Sequence, residues 1–240
     1  MSWHTGRLAA FDIETTGVDP ETDRIVTAAV SVVGDGRAAE HLSWLVDPGI
    51  DIPAGATSVH GITTERARAE GRSPDEAVDE ITTVLADQLQ QRVPVIAFIA
   101  RFDLTILDRE ARRHGIRPLL DRVGGLDGML VVDPYVLDKQ FARFRRGKRT
   151  LGAVCEHYGV ALDEAHAATA DALAAARLAF TLGATVTELR DIDLRVLHRE
   201  QVSWAAEQAA SLEEYFRQQG RDEHVEGSWP IIPDGLAPAG

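Results

Sequence analysis

The chain has one cysteine, Cys155, in 240 residues, so an intramolecular disulfide and a thiolate zinc cage are both excluded. A buried packing role in a reducing compartment is the reading that remains. No apolar run approaches the roughly 20 residues needed to span a bilayer, and residues 1–10 have no apolar signal core. No membrane partner is therefore expected, and the cytoplasm is the expected location. Positive charge is also scarce: 25 Lys and Arg face 38 Asp and Glu, a formal net charge of −13. Loose electrostatic binding along nucleic acid needs clustered cations that displace counterions, so any such site has to be local. Internal repeats are absent, and one domain with room for an appendage is the default at this length.

What is present is the composition of a soluble globular protein, 45% hydrophobic and 26% charged, which argues against a disordered or fibrous chain. The same acidity suits hard divalent cations, which prefer carboxylate oxygens. Residues 7–13 and 24–33 read as strands, rich in small and β-branched side chains, with Thr16-Gly17-Val18-Asp19-Pro20 supplying turn chemistry between them. Gly34-Asp35-Gly36 predicts a hairpin turn into a third strand over 40–46. Ser73-Pro74-Asp75-Glu76 predicts a helix start, with the helix running to about Gln90. Further on, 94–100 and 129–132 read as strands and 104–114 as a helix closed by Gly115. An antiparallel start followed by β–α units predicts an α/β fold with a mixed sheet flanked by helices, ending near Ala184. Residues 186–219 are largely helical in pattern, with Trp204, Ala205, Ala209, Leu212 and Phe216 available for one apolar face. That extension either packs on its own domain or docks a partner. From Gly227 to Gly240 the composition is that of an extended Pro/Gly-rich tail.

Phe11-Asp12-Ile13-Glu14-Thr15-Thr16-Gly17 sets two carboxylates two residues apart at the end of an apolar strand, where alternation directs both to one face. Crowded carboxylates are costly without a cation, and a metal pair can stabilise both the attacking and the leaving oxygen of a phosphodiester displacement. An isolated Asp-x-Glu also ends strands and caps turns in proteins without a metal, so the pair gains meaning only from its company. That company is Phe102-Asp103, after the apolar segment 95–100, and His166-Ala167-Ala168-Thr169-Ala170-Asp171-Ala172.

With these three motifs in this order, the chain resembles the DEDDh branch of the 3′ to 5′ exonucleases, the group that includes the epsilon-type proofreading subunits of bacterial replicative polymerases. The resemblance covers roughly residues 7–180. It implies a ribonuclease H-like, five-stranded mixed sheet in a catalytic domain over 1–184, followed by the helical extension over 185–226 and the tail. It implies that Asp12, Glu14, Asp103 and Asp171 hold two divalent ions, Mg²⁺ or Mn²⁺, with His166 as general base. An imidazole with an ordinary pKa of about 6.5 can accept a proton from water near neutrality. A helix turns about 100° per residue, so groups five apart sit about 140° apart; His166 is therefore expected on the loop before a helix and Asp171 in its first turn. Around the terminal nucleotide the expected contacts are Thr15, Thr16, Phe102 and, within Val59-His60-Gly61-Ile62, His60.

One departure stands out: Ile99 occupies the place where the family commonly has Asn, and an aliphatic side chain cannot make that residue's hydrogen bonds. Altered loop order or substrate positioning is the expected consequence. The one dense basic run, Lys139, Arg143, Arg145, Arg146, Lys148 and Arg149, has Phe141 and Phe144 interleaved, and Arg146 and Lys148 are the expected phosphate contacts. The resulting expectation is metal-dependent release of nucleoside 5′-monophosphates from 3′ ends, DNA favoured over RNA, with a polymerase subunit or a second copy as possible partners. A 3′ exoribonuclease and a polymerase-associated nucleic-acid-binding module with weak catalysis are the competing readings.

Overall fold

The computed structural model describes residues 2–162 and 167–235. Three antiparallel strands come first, β1 (Arg7–Thr15), β2 (Ile25–Gly34) and β3 (Glu40–Leu45). The helices α1 (Ala54–His60), α2 (Thr64–Glu70) and α3 (Pro74–Gln90) follow. Then come β4 (Val95–Ile96), α4 (Ala100–Arg113), α5 (Leu119–Arg122), β5 (Val131–Val132), α6 (Pro134–Phe141), α7 (Leu151–Tyr158), α8 (Ala168–Thr185), α9 (Thr187–Arg190) and α10 (Leu194–Gln218). The sheet order is β3-β2-β1-β4-β5, with β4 and β5 parallel to β1. The expected α/β architecture with a five-stranded mixed sheet is therefore present. No helix among the described residues is long and apolar enough to cross a membrane.

Strand β1 is the spine because both of its faces are covered. Ala9, Phe11 and Ile13 join the core formed with α3 and α4, and Leu8 and Ala10 join the core formed with α8. Side chains two apart share a face, so Asp12 and Glu14 lie on the α8 side, beyond Leu8 and Ala10. The packing face of α8 is a row of small residues, Ala172, Ala175, Ala176 and Ala179, which lets the helix lie close against the sheet.

Two expected strands are shorter than the sequence suggests. Only Val95–Ile96 and Val131–Val132 pair in the ladder, and the segment expected as strand to residue 100 turns at Ile99 into α4, which starts at Ala100. The C-terminal extension shares the cores of the sheet: Leu189 and Leu197 lie in the α8 core, and Val202, Trp204 and Ala205 pack on the α3–α4 core. The described part of the tail, 227–235, has no helix or strand, as expected for an extended segment. It is nevertheless packed down, because Trp229 and Ile231 are buried in the α3–α4 core.

Candidate active site

Asp12 and Glu14 are delivered by β1 opposite Ala29 and Thr27, just before a register shift between Glu14 and Thr15. Asp171 arrives in the first turn of α8, as the sequence motif predicts. One carboxylate oxygen from each of Asp12, Glu14 and Asp171 lies within 4.8 Å of the others. Asp103, in the first turn of α4, is 4% exposed, and its Oδ1 accepts a hydrogen bond from the Ile13 backbone N–H at 3.2 Å. Helix α4 is thereby tied to the middle of the Asp-x-Glu segment.

Among these acids, Asp12, Glu14 and Asp103 resist ionisation. Burial, then the charges of Asp103, Asp171 and Glu14, raise the Asp12 carboxyl well above the usual range. Burial and Asp171 push Glu14 up to about 7. Asp103 is also raised well above its usual range, chiefly by burial; the Ile13 N–H opposes the shift, and Asp133 and Glu14 add to it. The donor set is all oxygen, and a hard cation held at about 2.0–2.6 Å bridges oxygens up to about 4–5 Å apart, so the observed spacing fits a bound divalent ion. Such an ion would relieve the mutual repulsion that the pKa shifts register.

His166, expected as general base, lies outside the described residues. Around the carboxylates, the Thr15 hydroxyl donates to the Gly17 carbonyl at 2.6 Å. The Thr16 hydroxyl donates to Asp23 at 2.7 Å and accepts from the Arg24 N–H at 3.0 Å. Both hydroxyls therefore knit the turn together, and Thr16 is only 2% exposed. A Cβ at Gly17 would meet the Asp23 carboxylate at 2.5 Å, so a larger residue there would displace the group that the Thr16 hydroxyl bonds. His60, at the end of α1, accepts the Ile62 N–H on Nδ1 at 3.1 Å. Burial holds its pKa down against the opposing backbone of Thr15. His60 lines a depression of about 270 Å³ together with Glu14, Trp44, Arg66 and the start of α8. Phe102 is half-buried against the α3–α4 core. Arg146 and Lys148 are exposed between α6 and α7.

One group was not expected. Asp133, 1% exposed, accepts the N–H groups of Ile99 at 3.0 Å and Ala100 at 2.9 Å, caps α6 through Tyr135 N–H at 2.9 Å, and receives Trp229 Nε1 at 3.3 Å. Burial pushes its carboxyl up to about 6 against those donors. It fixes the head of α4, and with it Asp103. The available sequence signal was Asp133-Pro134, a helix-capping acid followed by proline at the first turn; its reach to residues 99, 100 and 229 had no local mark.

Known proteins share the sequence pattern and the fold of this chain. The exonuclease family model RNase_T matches residues 9–179. The chain is 28% identical over 197 residues to a PolC-type DNA polymerase III of Streptococcus agalactiae, covering 80% of this chain and 12% of that protein. It is 29% identical over 175 residues to the PolC-type enzyme of Streptococcus suis, covering 71% of this chain and 11% of that protein. The chain thus spans about an eighth of the length of these relatives. Among solved structures, E. coli exonuclease I in complex with a dT13 oligonucleotide superposes with a TM-score of 0.63 at 20% identity, over 77% of this chain and 42% of that one. A moderately thermophilic exonuclease I from Methylocaldum szegediense gives 0.62 at 21%, over the same shares. These likenesses establish the fold.

Proposed function

Because the chain belongs to the exonuclease family whose model spans residues 9–179, we propose that it is a metal-dependent 3′ to 5′ exonuclease that acts on single-stranded DNA. The observation that carries this reading is the convergence of Asp12, Glu14 and Asp171 within 4.8 Å, with Asp103 hydrogen-bonded into the same strand. Water attacks the phosphorus of the last phosphodiester, and the bond to the 3′ oxygen of the preceding nucleotide breaks. The products are a nucleoside 5′-monophosphate and a strand one unit shorter with a free 3′ hydroxyl.

Asp12, Glu14, Asp103 and Asp171 would hold two divalent ions, Mg²⁺ or Mn²⁺, which supply charge stabilisation to the attacking and leaving oxygens. His166 takes the proton of the attacking water. His60 and the backbone at Thr15 border the terminal nucleotide, Phe102 lies beside Asp103, and Arg146 and Lys148 meet phosphates upstream. The Thr16 hydroxyl, committed to Asp23, serves by shaping the turn. The PolC-type relatives favour DNA over RNA and a polymerase as working partner, in a cytoplasmic setting suited to the buried Cys155.

The test is degradation of 3′-labelled and 5′-labelled single-stranded DNA and RNA of one sequence with Mg²⁺, Mn²⁺ or EDTA, comparing the parent with Asp12→Asn. Stepwise loss from the 3′ end, stopped by EDTA and by the substitution and faster on DNA, is the expected result. Folded, metal-supplied parent protein that binds every strand and shortens none would overturn the reading.

A further inference from the structure

Two depressions run end to end between α6 and α10. The inner one, about 100 Å³, begins at Ile99, Arg101 and Tyr135, beside the head of α4 that carries Asp103. It shares Lys139, Gln208 and Leu212 with the outer one, about 380 Å³. At the far end stand Arg143, Phe144 and Tyr215, with Glu207 as the acid on the α10 wall.

The lining carries Arg101, Lys139, Arg143 and Arg149 against Asp133, Glu207 and Glu226, a more basic balance than that of the molecule, and the acids Asp133 and Glu226 lie at the inner end. Both lysines of the chain, Lys139 and Lys148, fall within residues 139–149, together with four arginines and no acid. Arg145 and Arg149 are consumed by the buried carboxylate of Asp138. Among the described residues no carboxylate forms an ion pair with Lys139, Arg143, Arg146 or Lys148. Burial first, then Arg149 and Arg101, hold the Lys139 ammonium below its usual range, and Asp133 opposes the shift.

Aromatic rings stand among these cations. Phe144 is 92% exposed and Tyr215 54%. The Arg143 guanidinium lies 6.0 Å from the Phe144 ring centre, and the Lys139 ammonium 5.2 Å from that of Tyr135. A cationic track interleaved with exposed rings is what single-stranded nucleic acid requires, phosphates on the cations and unpaired bases on the rings. An acidic peptide would use the cations and leave the rings idle, and a duplex keeps its bases stacked on one another.

We propose that the α6–α10 groove carries the single DNA strand upstream of the nucleotide at the carboxylates, with Lys139 and Arg143 on phosphates and Phe144 and Tyr215 under bases. Helix α10 is then one wall of the substrate path. This rests on reading the carboxylates as an exonuclease site, which hydrolysis of a dinucleotide, too short to enter the groove, tests by itself.

The groove is tested by fluorescence anisotropy of a twenty-nucleotide single-stranded DNA in EDTA, over a series of salt concentrations, with Arg143→Ala and Phe144→Ala. Both side chains are exposed, so folding is not at stake. Phe144→Ala should weaken binding at least about fivefold and leave the salt dependence unchanged, because stacking is lost and charge is kept. Arg143→Ala should reduce the slope of log K against log salt by about 0.7, the share of one phosphate contact on a single strand. Absence of either signature overturns the proposal, whether or not the dinucleotide is cleaved.

Discussion

Ile99 sits at φ 64° and ψ 48°, left-handed backbone in which a β-branched residue is an outlier. The conformation is imposed by Asp133, whose carboxylate binds both the Ile99 and the Ala100 N–H groups. The expected loss of the Asn hydrogen bonds is thus met by a backbone held from elsewhere, at a conformational cost of about 1–2 kcal/mol. Since Ile99 is 37% exposed, little packing offsets that cost, and Ile99→Asn should raise stability by about 1 kcal/mol in urea denaturation. An unchanged or lower midpoint would mean that the Ile99 side chain contributes more than the backbone costs.

Asp12 shows the opposite trade. Asp12→Asn removes one of the mutually repelling carboxylates, so without metal the variant should melt higher than the parent. Its turnover should fall about a hundredfold or more, since even groups supporting metal ligands cost about 10–100-fold when removed. Mg²⁺ should raise the melting temperature of the parent and leave that of the variant nearly still; equal metal-induced shifts would count against Asp12 as a ligand.

At the scale of elements, β5 ends the sheet, and its open edge is closed by side chains of α10 in place of another strand. His198 Nδ1 accepts the Val131 N–H at 3.2 Å, and Gln201 accepts the Asp133 N–H at 2.7 Å while donating to the Val131 carbonyl at 3.0 Å. Gln201→Leu would leave two buried backbone groups unpaired and should cost about 2–4 kcal/mol in chemical denaturation. Because Nδ1 of His198 is an acceptor, the ring is held neutral, and burial pushes its pKa down to about 4. The folded value lies below the unfolded value of about 6.5. The stabilisation it represents is full above pH 6.5 and is lost as pH falls toward 4, by roughly 3 kcal/mol. Protonation of the raised carboxyls of Asp12, Glu14 and Asp103 works in the other direction, so the informative quantity is a difference. The stability gap between the parent and His198→Asn should narrow from pH 7.5 to 4.5; a constant gap would remove the titration from the account.

These same contacts mark where the sequence stopped being legible. The first three strands and α3 announce themselves through alternation, turn residues and a Ser-Pro start, all local signals. Asp12 and Glu14 followed from strand alternation, and Asp171 from a motif. Strands β4 and β5 could be located but not bounded, because a buried apolar run does not say where its ladder partners stop. Helix α7 has no visible period although Thr150 caps it, because it is a short element that buries only Val154 and Cys155. Asp133, His198 and Gln201 were invisible as a group because the bonds linking them to β5 and to one another join residues 67–70 apart.

For the molecule as a whole, residues 229–232 of the described tail link α10 to the helix that carries Asp103 of the candidate site. Trp229 and Ile231 are buried in the α3–α4 core. Thr105 of α4 accepts the Ile232 N–H at 3.0 Å, and Arg109 donates to the Ile232 carbonyl at 3.1 Å. The Trp229 ring lies 5.1 Å from that of His198, and its Nε1 reaches Asp133. One indole therefore touches the helix that seals β5 and the carboxylate that fixes the head of α4. Truncation to Ala leaves a cavity that should cost about 3–5 kcal/mol, and it removes one of the donors that keep buried Asp133 charged. The consequence should extend beyond stability: Asp133 loosened at Ile99 and Ala100 no longer holds Asp103 against the Ile13 N–H. Trp229→Ala, assayed at a temperature where it remains fully folded, should lose turnover on single-stranded DNA about 10–100-fold, as metal sites do when supporting groups are removed. Ile231→Ala, which empties the same core without touching Asp133, should lose stability but keep most of its turnover. If the two variants lost turnover equally, the tail would act through general packing and not through Asp133.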